Sequence, residues 1–540
     1  MCYNITTLIR KACIIAGQGG EMERVNRVIN ETKKSTPATA KPVIPKLPNM
    51  RLALLAAILL AVGSVEFFFF SAGGLGWTIF WLLFLPIYAL IFLLKDKKLA
   101  KDSKKFAPLD VVSIILIVLL SLPFMLYNNP VLWFLNTLSL MALVSTLYLR
   151  QIFSERLDSL RFIVELTLGT LARPFAKLRE AFLTFSSSKS DNAKSRRRNL
   201  IIKTVWSVVA ASVIVAILAT LLAASDLVFA EMLGRIGEWF NSLNLGDFIW
   251  HIFLMLLVFP FCLSFILTYI LKTKYTSSLE LEYAGKKVLP TLPVAIVLSF
   301  INLLYLVFAI IQFKFLFSGG TQLPDGITYA DYARAGFFQL SAISIINVII
   351  VAITVKFSER NGRAGTLLRI LSVALVALAA VQVASSWLRM SLYVQVYGLS
   401  QLRLFVFTAL IVIAAIFVVL ILREFIKKVP LFTSIAAIIL FVLVGLNYIV
   451  PDAKVAQYNI NHYLSGDIKN NDLDLDYLWD LSNDSRFVIM QNRDQLIGKN
   501  PKFESSLADF SNRVHFYTDG RGGWKDFNVM TEKLRQYQDD

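Results

Sequence analysis

Residues Leu404–Leu422 read LFVFTALIVIAAIFVVLIL, nineteen positions without a charge, closed by Arg403 at one end and Arg423 at the other. At about 1.5 Å per residue a helix of this length covers about 28 Å, close to the ~30 Å of a bilayer's hydrocarbon layer. Only a structure that satisfies its own backbone hydrogen bonds can sit there, and a helix does so within one segment. The stretch therefore reads as a transmembrane helix.

Working outward, the same pattern recurs. Eleven spans are expected at about 52–71, 76–94, 109–127, 131–149, 202–224, 248–271, 289–311, 335–355, 370–388, 404–422 and 431–449. Pro86, Pro123 and Pro260 fall inside spans and are expected to kink rather than break them, because neighbouring helices can satisfy the freed carbonyls. Of the 540 residues, 56% are apolar and 17% charged, with mean hydropathy +0.63. A soluble domain has about 45–50% and about 25%. The expected class is all-α: a polytopic integral membrane protein with a small helical C-terminal extramembrane domain.

The net charge of +17 could suggest nucleic acid as a partner, but its distribution argues otherwise. With the N-terminus in the cytoplasm, the tail and cytoplasmic loops hold 38 Lys and Arg and the external loops five: Arg235, Lys314, Arg334, Arg389 and Arg403. Such a bias orients membrane proteins. An odd number of spans then places the C-terminal region outside. The expected organisation is a flexible cytoplasmic tail (1–51), a transmembrane domain (52–450) and an extracytoplasmic region (451–540). The transmembrane domain includes a cytoplasmic amphipathic loop, 150–203. In that loop Leu157, Leu160, Val164, Leu168 and Leu171 alternate with basic residues, as expected of a helix lying on anionic headgroups.

Catalytic and metal signatures are missing from the sequence. Cys2, Cys13 and Cys262 form no CxxC, and His251, His462 and His515 stand far apart, so no zinc or disulfide framework is indicated. Asp472, Asp474 and Asp476 form a DxDxD string, but Tyr477 and Asn483 occupy the positions where a calcium loop needs Gly and Glu. No P-loop and no GxSxG occur. No metal and no cofactor are expected, and an enzymatic role has no positive support.

The polar residues in and near the spans are more informative. Charges in a bilayer are costly and are usually paired or face a cavity. On this topology Glu66, His251, Asp331, Arg334, Arg389 and Arg403 all lie towards the external side, with Asn302, Gln339, Asn347 and Gln382 deeper. A shared outward-facing polar cavity would satisfy them together. Separate snorkelling and interhelical hydrogen bonds are the alternative.

Residues 326–340, GITYADYARAGFFQL, resemble the hallmark of a bacterial family of polytopic membrane proteins known as a domain of unknown function. Ser385-Ser386-Trp387-Leu388-Arg389, with Tyr397-Gly398-Leu399 and Leu402-Arg403, resembles the same family, and Asn459 to Tyr463 with Leu473-Asp474 matches it more loosely. The likeness covers most of residues 110–490. It implies a bacterial plasma-membrane location and carries no activity with it.

Two functions are expected from these readings. The first is binding or movement of a small anionic or lipid-like solute, with Arg334, Arg389 and Arg403 gripping an anionic group and Glu66, Asp331 and His251 beside them. The second is a signalling or assembly role, in which the external tail and loops bind a protein partner. Membrane lipids are expected partners in both readings and nucleic acid in neither.

Overall fold

The computed structural model describes residues 50–93, 108–151, 157–186, 193–242, 246–271, 289–315, 337–360, 362–426, 428–466, 473–501, 503–508 and 523–537. The N-terminal tail before Met50 lies outside them, as do Asp331 and Arg334. Among the described residues the chain is helical throughout, apart from one isolated parallel bridge between Leu289 and Ser358.

The membrane domain runs α1 (Met50–Gly63, continued as a π-helical turn over Ser64–Phe69), α2 (Gly74–Leu93), α3 (Pro108–Ser121) and α4 (Pro130–Leu149). It continues with α5 (Leu160–Ala176), α6 (Leu178–Ser186), α7 (Ala193–Ser225), α8 (Leu227–Ser242) and α9 (Gly246–Ile270). A second set follows: α10 (Thr291–Phe315), α11 (Phe337–Phe357), α12 (Gly362–Tyr397), α13 (Gln401–Phe425) and α14 (Leu431–Ile449). A C-terminal cap contains α15 (Pro451–Ser465), α16 (Leu475–Leu481), α17 (Asn483–Gln491), α18 (Arg493–Lys499) and α19 (Val529–Arg535).

Among the described residues ten helices are long and apolar enough to cross a membrane, matching ten of the eleven expected spans. Their surfaces are inverted relative to a soluble bundle. Phe300 and Phe441 point outward, 71% and 78% exposed, while Asn136, Asn447, Glu165 and Arg173 are fully buried. Apolar outside with polar inside is the arrangement hydrocarbon selects, since unsatisfied polar groups cost several kcal/mol there.

The remaining expected span, 202–224, lies within α7, whose described apolar part is Ile214–Ser225. Contacts fix the two ends of the chain around it. Lys177, just before α6, donates its backbone N–H to Ser264 Oγ in the far half of α9, whereas His251 in the near half of α9 meets Glu66 on α1. Between Ser186 and Gly246 the chain thus passes from one end of the bundle to the other, and the 33-residue α7 is the element long enough to carry it.

Proline is handled differently along the bundle. Pro86 and Pro260 are absorbed inside α2 and α9, while at Pro123 α3 passes through Leu122, itself in helical geometry, into one further turn, Pro123–Leu126, so that the proline kinks a span that runs on from Pro108 to Leu126. Pro123 cannot donate to the Leu119 carbonyl. The Tyr448 hydroxyl of α14 donates to that carbonyl instead, at 3.0 Å, and Thr78 Oγ1 of α2 donates to the Ser121 carbonyl at 2.9 Å.

The second helical set packs around Leu298, Leu368, Leu375, Leu410 and Leu420. The cap has a core of its own around Trp479, Ile489, Leu496 and Leu534. It docks on the connectors at one end of the bundle. Leu75 donates its N–H to the Phe527 carbonyl at 2.9 Å, Asn528 Nδ2 donates to the carbonyls of Phe124 and Tyr127, and Asn459 bonds both backbone groups of Leu399.

Candidate functional site

Glu66 and His251 come together. Glu66 sits on the π-helical turn that ends α1, and Glu66 Oε1 lies 3.6 Å from His251 Nε2 on the first turns of α9. The imidazole stacks on Phe70, with centroids 3.6 Å apart and planes 13° apart. A third partner comes from the cap: Lys525 Nζ pairs with Glu66 Oε2. Next to this cluster Ser71 Oγ and the Ala72 N–H both donate to Asp526 Oδ1. π-Turns are frequent at functional sites because the extra residue re-aims side chains. Lys525 and Asp526 were missed from sequence, since more than 450 positions separate them from their partners and no local pattern links them.

Arg389 and Arg403 are occupied elsewhere. Arg389 is buried in α12 and donates to Gln312 Oε1 of α10 at 3.2 Å, an oxygen that also accepts from Ser385 Oγ at 2.8 Å. Deeper in the same seam Tyr305 donates to Asn347 Oδ1, Asn347 Nδ2 lies 3.4 Å from Gln382 Oε1, and Asn302 Nδ2 donates to the Leu371 carbonyl. These are interhelical hydrogen bonds joining α10, α11 and α12, of a kind each worth about 0.6–2 kcal/mol in a bilayer. Arg403, on the first turn of α13, donates to the carbonyls of Tyr397 and Gly398 and lies 4.2 Å above the Tyr393 ring. It thereby caps the C-terminus of α12, where backbone carbonyls otherwise lack donors. The described contacts join Glu66 with His251, while Arg389 and Arg403 each engage their own neighbours.

The described cavity is of another kind. A space of about 310 Å³ lies between α1, α2, α4, α5 and α9. Its walls are mostly aromatic and aliphatic, with Phe68, Phe80, Trp81, Phe84, Phe261 and Phe265 prominent. Its polar groups are few: the hydroxyls of Ser64, Thr137, Ser145 and Thr170, and the Cys262 thiol. Ser64 and Phe68 belong to the same π-helical turn as Glu66, so the charged cluster and the cavity share one wall.

Thr170 and Pro174 of α5 complete the lining, which changes the role of this helix. The sequence suggested a helix lying on headgroups. Instead Arg173 is completely buried, 3.1 Å from an equally buried Glu165 and 4.9 Å from the Tyr269 ring centroid. Amphipathic spacing cannot separate a headgroup-facing arginine from one whose charge is neutralised by a carboxylate two turns away.

Among the described residues no three His, Cys, Asp or Glu side chains are grouped to hold a metal ion. No curated protein and no solved structure matches the chain. Residues 114–491 match the model of a family described as Domain of unknown function (DUF4153), a span from the middle of α3 to the end of α17. That match covers well over half of the sequence, and this multi-pass α-helical membrane protein belongs to the DUF4153 family.

Proposed function

We propose that the protein binds a lipid-like solute, holding its hydrocarbon part in the cavity between α1, α2, α4, α5 and α9. The observation that carries this reading is the cavity: about 310 Å³ of largely aromatic and aliphatic wall inside a membrane bundle. Ligand pockets start at about this size and are lined mainly by such side chains, with a few polar groups that fix orientation. The Glu66–His251–Lys525 cluster on the adjoining wall supplies those groups for a polar head. A purely anionic solute has less to recommend it, because the described arginines Arg389 and Arg403 are already engaged by protein oxygens. We place the protein in a bacterial plasma membrane, with the cap outside. The excess of Lys and Arg on the connectors at the opposite end supports that orientation.

Native mass spectrometry of the detergent-purified chain tests the reading. Retained lipid is expected on the wild type, and Met141→Trp, which puts an indole into the cavity, is expected to lose it while remaining monodisperse. Equal retention by both proteins overturns the proposal.

A further inference from the structure

The cap meets the bundle through two buried acids. Asp452, on the first turn of α15, and Asp484, on the first turn of α17, are 0% and 1% exposed. They converge on two consecutive residues of the α3–α4 connector. Asp484 Oδ2 accepts the Asn128 N–H at 3.0 Å, and Asp452 Oδ2 accepts Asn129 Nδ2 at 2.9 Å. Asp452 Oδ1 accepts Gln401 Nε2 at 2.8 Å. We propose that Asp452 and Asp484 form a pH-sensitive latch, which fastens the cap to the Tyr127–Asn129 connector when one of them holds a proton and weakens the docking when both carboxyls ionise.

The surroundings favour a proton over a metal ion. Asn129 and Gln401 turn their amide nitrogens, not their oxygens, towards Asp452, which suits an anion and would repel a cation. Among the described residues no lysine or arginine pairs with either acid. Arg486, on α17 itself, donates to Asn483 Oδ1 and the Trp479 carbonyl, and Arg403 of α13 serves α12. From α19, Lys533 lies over the Phe487 ring and Glu532 pairs with Arg535. From α16, Asp474 caps its own helix by accepting the Tyr477 N–H. Tyr448 of α14 points to the Leu119 carbonyl. Tyr127 is pushed above the ordinary tyrosine value by burial and then by the Asp484 charge, and Tyr477 by burial against the hydrogen bond to the Gln401 N–H, so both remain neutral.

Two carboxylates in one dry site cannot both ionise cheaply. Burial raises Asp452, against the hydrogen bonds it accepts. Burial and then the Asp452 charge raise Asp484 to about 7, against the opposing Asn128 hydrogen bond. The docked state therefore binds a proton that the undocked state releases near pH 3.8, the ordinary value. Docking is strongest at the acid end, weakens as pH rises towards about 7, and is level beyond it. On the orientation proposed above, the latch faces the external medium.

Hydrogen exchange on the full-length protein in detergent, corrected for intrinsic rates, reads this directly. Protection of peptides covering 122–130 and 482–490 is expected to fall by up to about tenfold per pH unit between about pH 5 and about pH 7, then level off. Asp484→Asn, which has the shape of the protonated acid, leaves only Asp452 to titrate, so its protection is expected to level off well below about pH 7. Asp452→Asn leaves Asp484 titratable without its charged neighbour, and the fall should end at a lower pH. It carries the test if the first variant does not fold. Wild-type protection that is independent of pH overturns the latch, as does a wild-type slope that survives in Asp484→Asn or an unmoved end point in Asp452→Asn.

Discussion

Asn136 of α4 and Asn447 of α14 donate to each other's side-chain oxygens at 2.7 and 2.9 Å, and both residues are fully buried. This reciprocal pair closes the first helical set against the last across 311 positions of sequence. Breaking one side leaves the other amide with unmet donors in a dry site, which costs about 1–3 kcal/mol, whereas removing both amides together costs less. Asn136→Leu is therefore expected to lower the thermal unfolding temperature in detergent. Adding Asn447→Leu should restore part of the loss, and a double variant as unstable as the sum of the singles would count against the pairing.

Arg173 and Glu165 make the stronger version of the same argument. Both are fully buried beside the cavity, on the helix that lines it. Removing one charge strands the other, at about 3–5 kcal/mol, while replacing both by apolar residues of similar volume is often neutral. Arg173→Met is expected to abolish recovery of monodisperse protein, and Arg173→Met with Glu165→Met should rescue it, as read by size-exclusion chromatography.

Gly398 follows α12 at φ +73°, and a Cβ there would strike Asn459 Oδ1. That oxygen accepts the Leu399 N–H at 2.9 Å and helps hold the cap. Gly398→Ala is expected to cost at least the ~1–2 kcal/mol of a left-handed non-glycine residue and to loosen α15. Limited proteolysis should then cut the 466–473 connector faster than in the wild type.

Cys262 lines the cavity and is buried. In a Cys2→Ser, Cys13→Ser background, a long-chain alkyl maleimide is expected to label it faster after delipidation than before, because a bound hydrocarbon chain excludes the reagent. Met141→Trp should slow labelling in both preparations. Labelling that ignores the lipid content would argue that the cavity is empty in the membrane.

Residues 404–422 show what could be read locally. A span is recognisable because its backbone hydrogen bonds close within the segment and its length must match the bilayer, so composition over about twenty residues is enough. The all-helical class and ten of the spans follow from that one-dimensional rule. Pro123 marks its limit: the kink was legible, but the groups that satisfy the carbonyls left open there, the hydroxyls of Tyr448 and Thr78, lie on other helices.

The pairings were decided by tertiary structure alone. Glu66 was visible as a costly intramembrane carboxylate, but its Lys525 partner was not, because an ion pair needs proximity in space and leaves no periodicity in sequence. Arg173 read as a headgroup contact and Arg403 as a ligand contact, since the same basic side chain serves either role until its neighbours are fixed. Asp452 and Asp484 carried no signal, because an acid's burial and the charge beside it exist only once α15 and α17 have folded onto the Asn128–Asn129 connector.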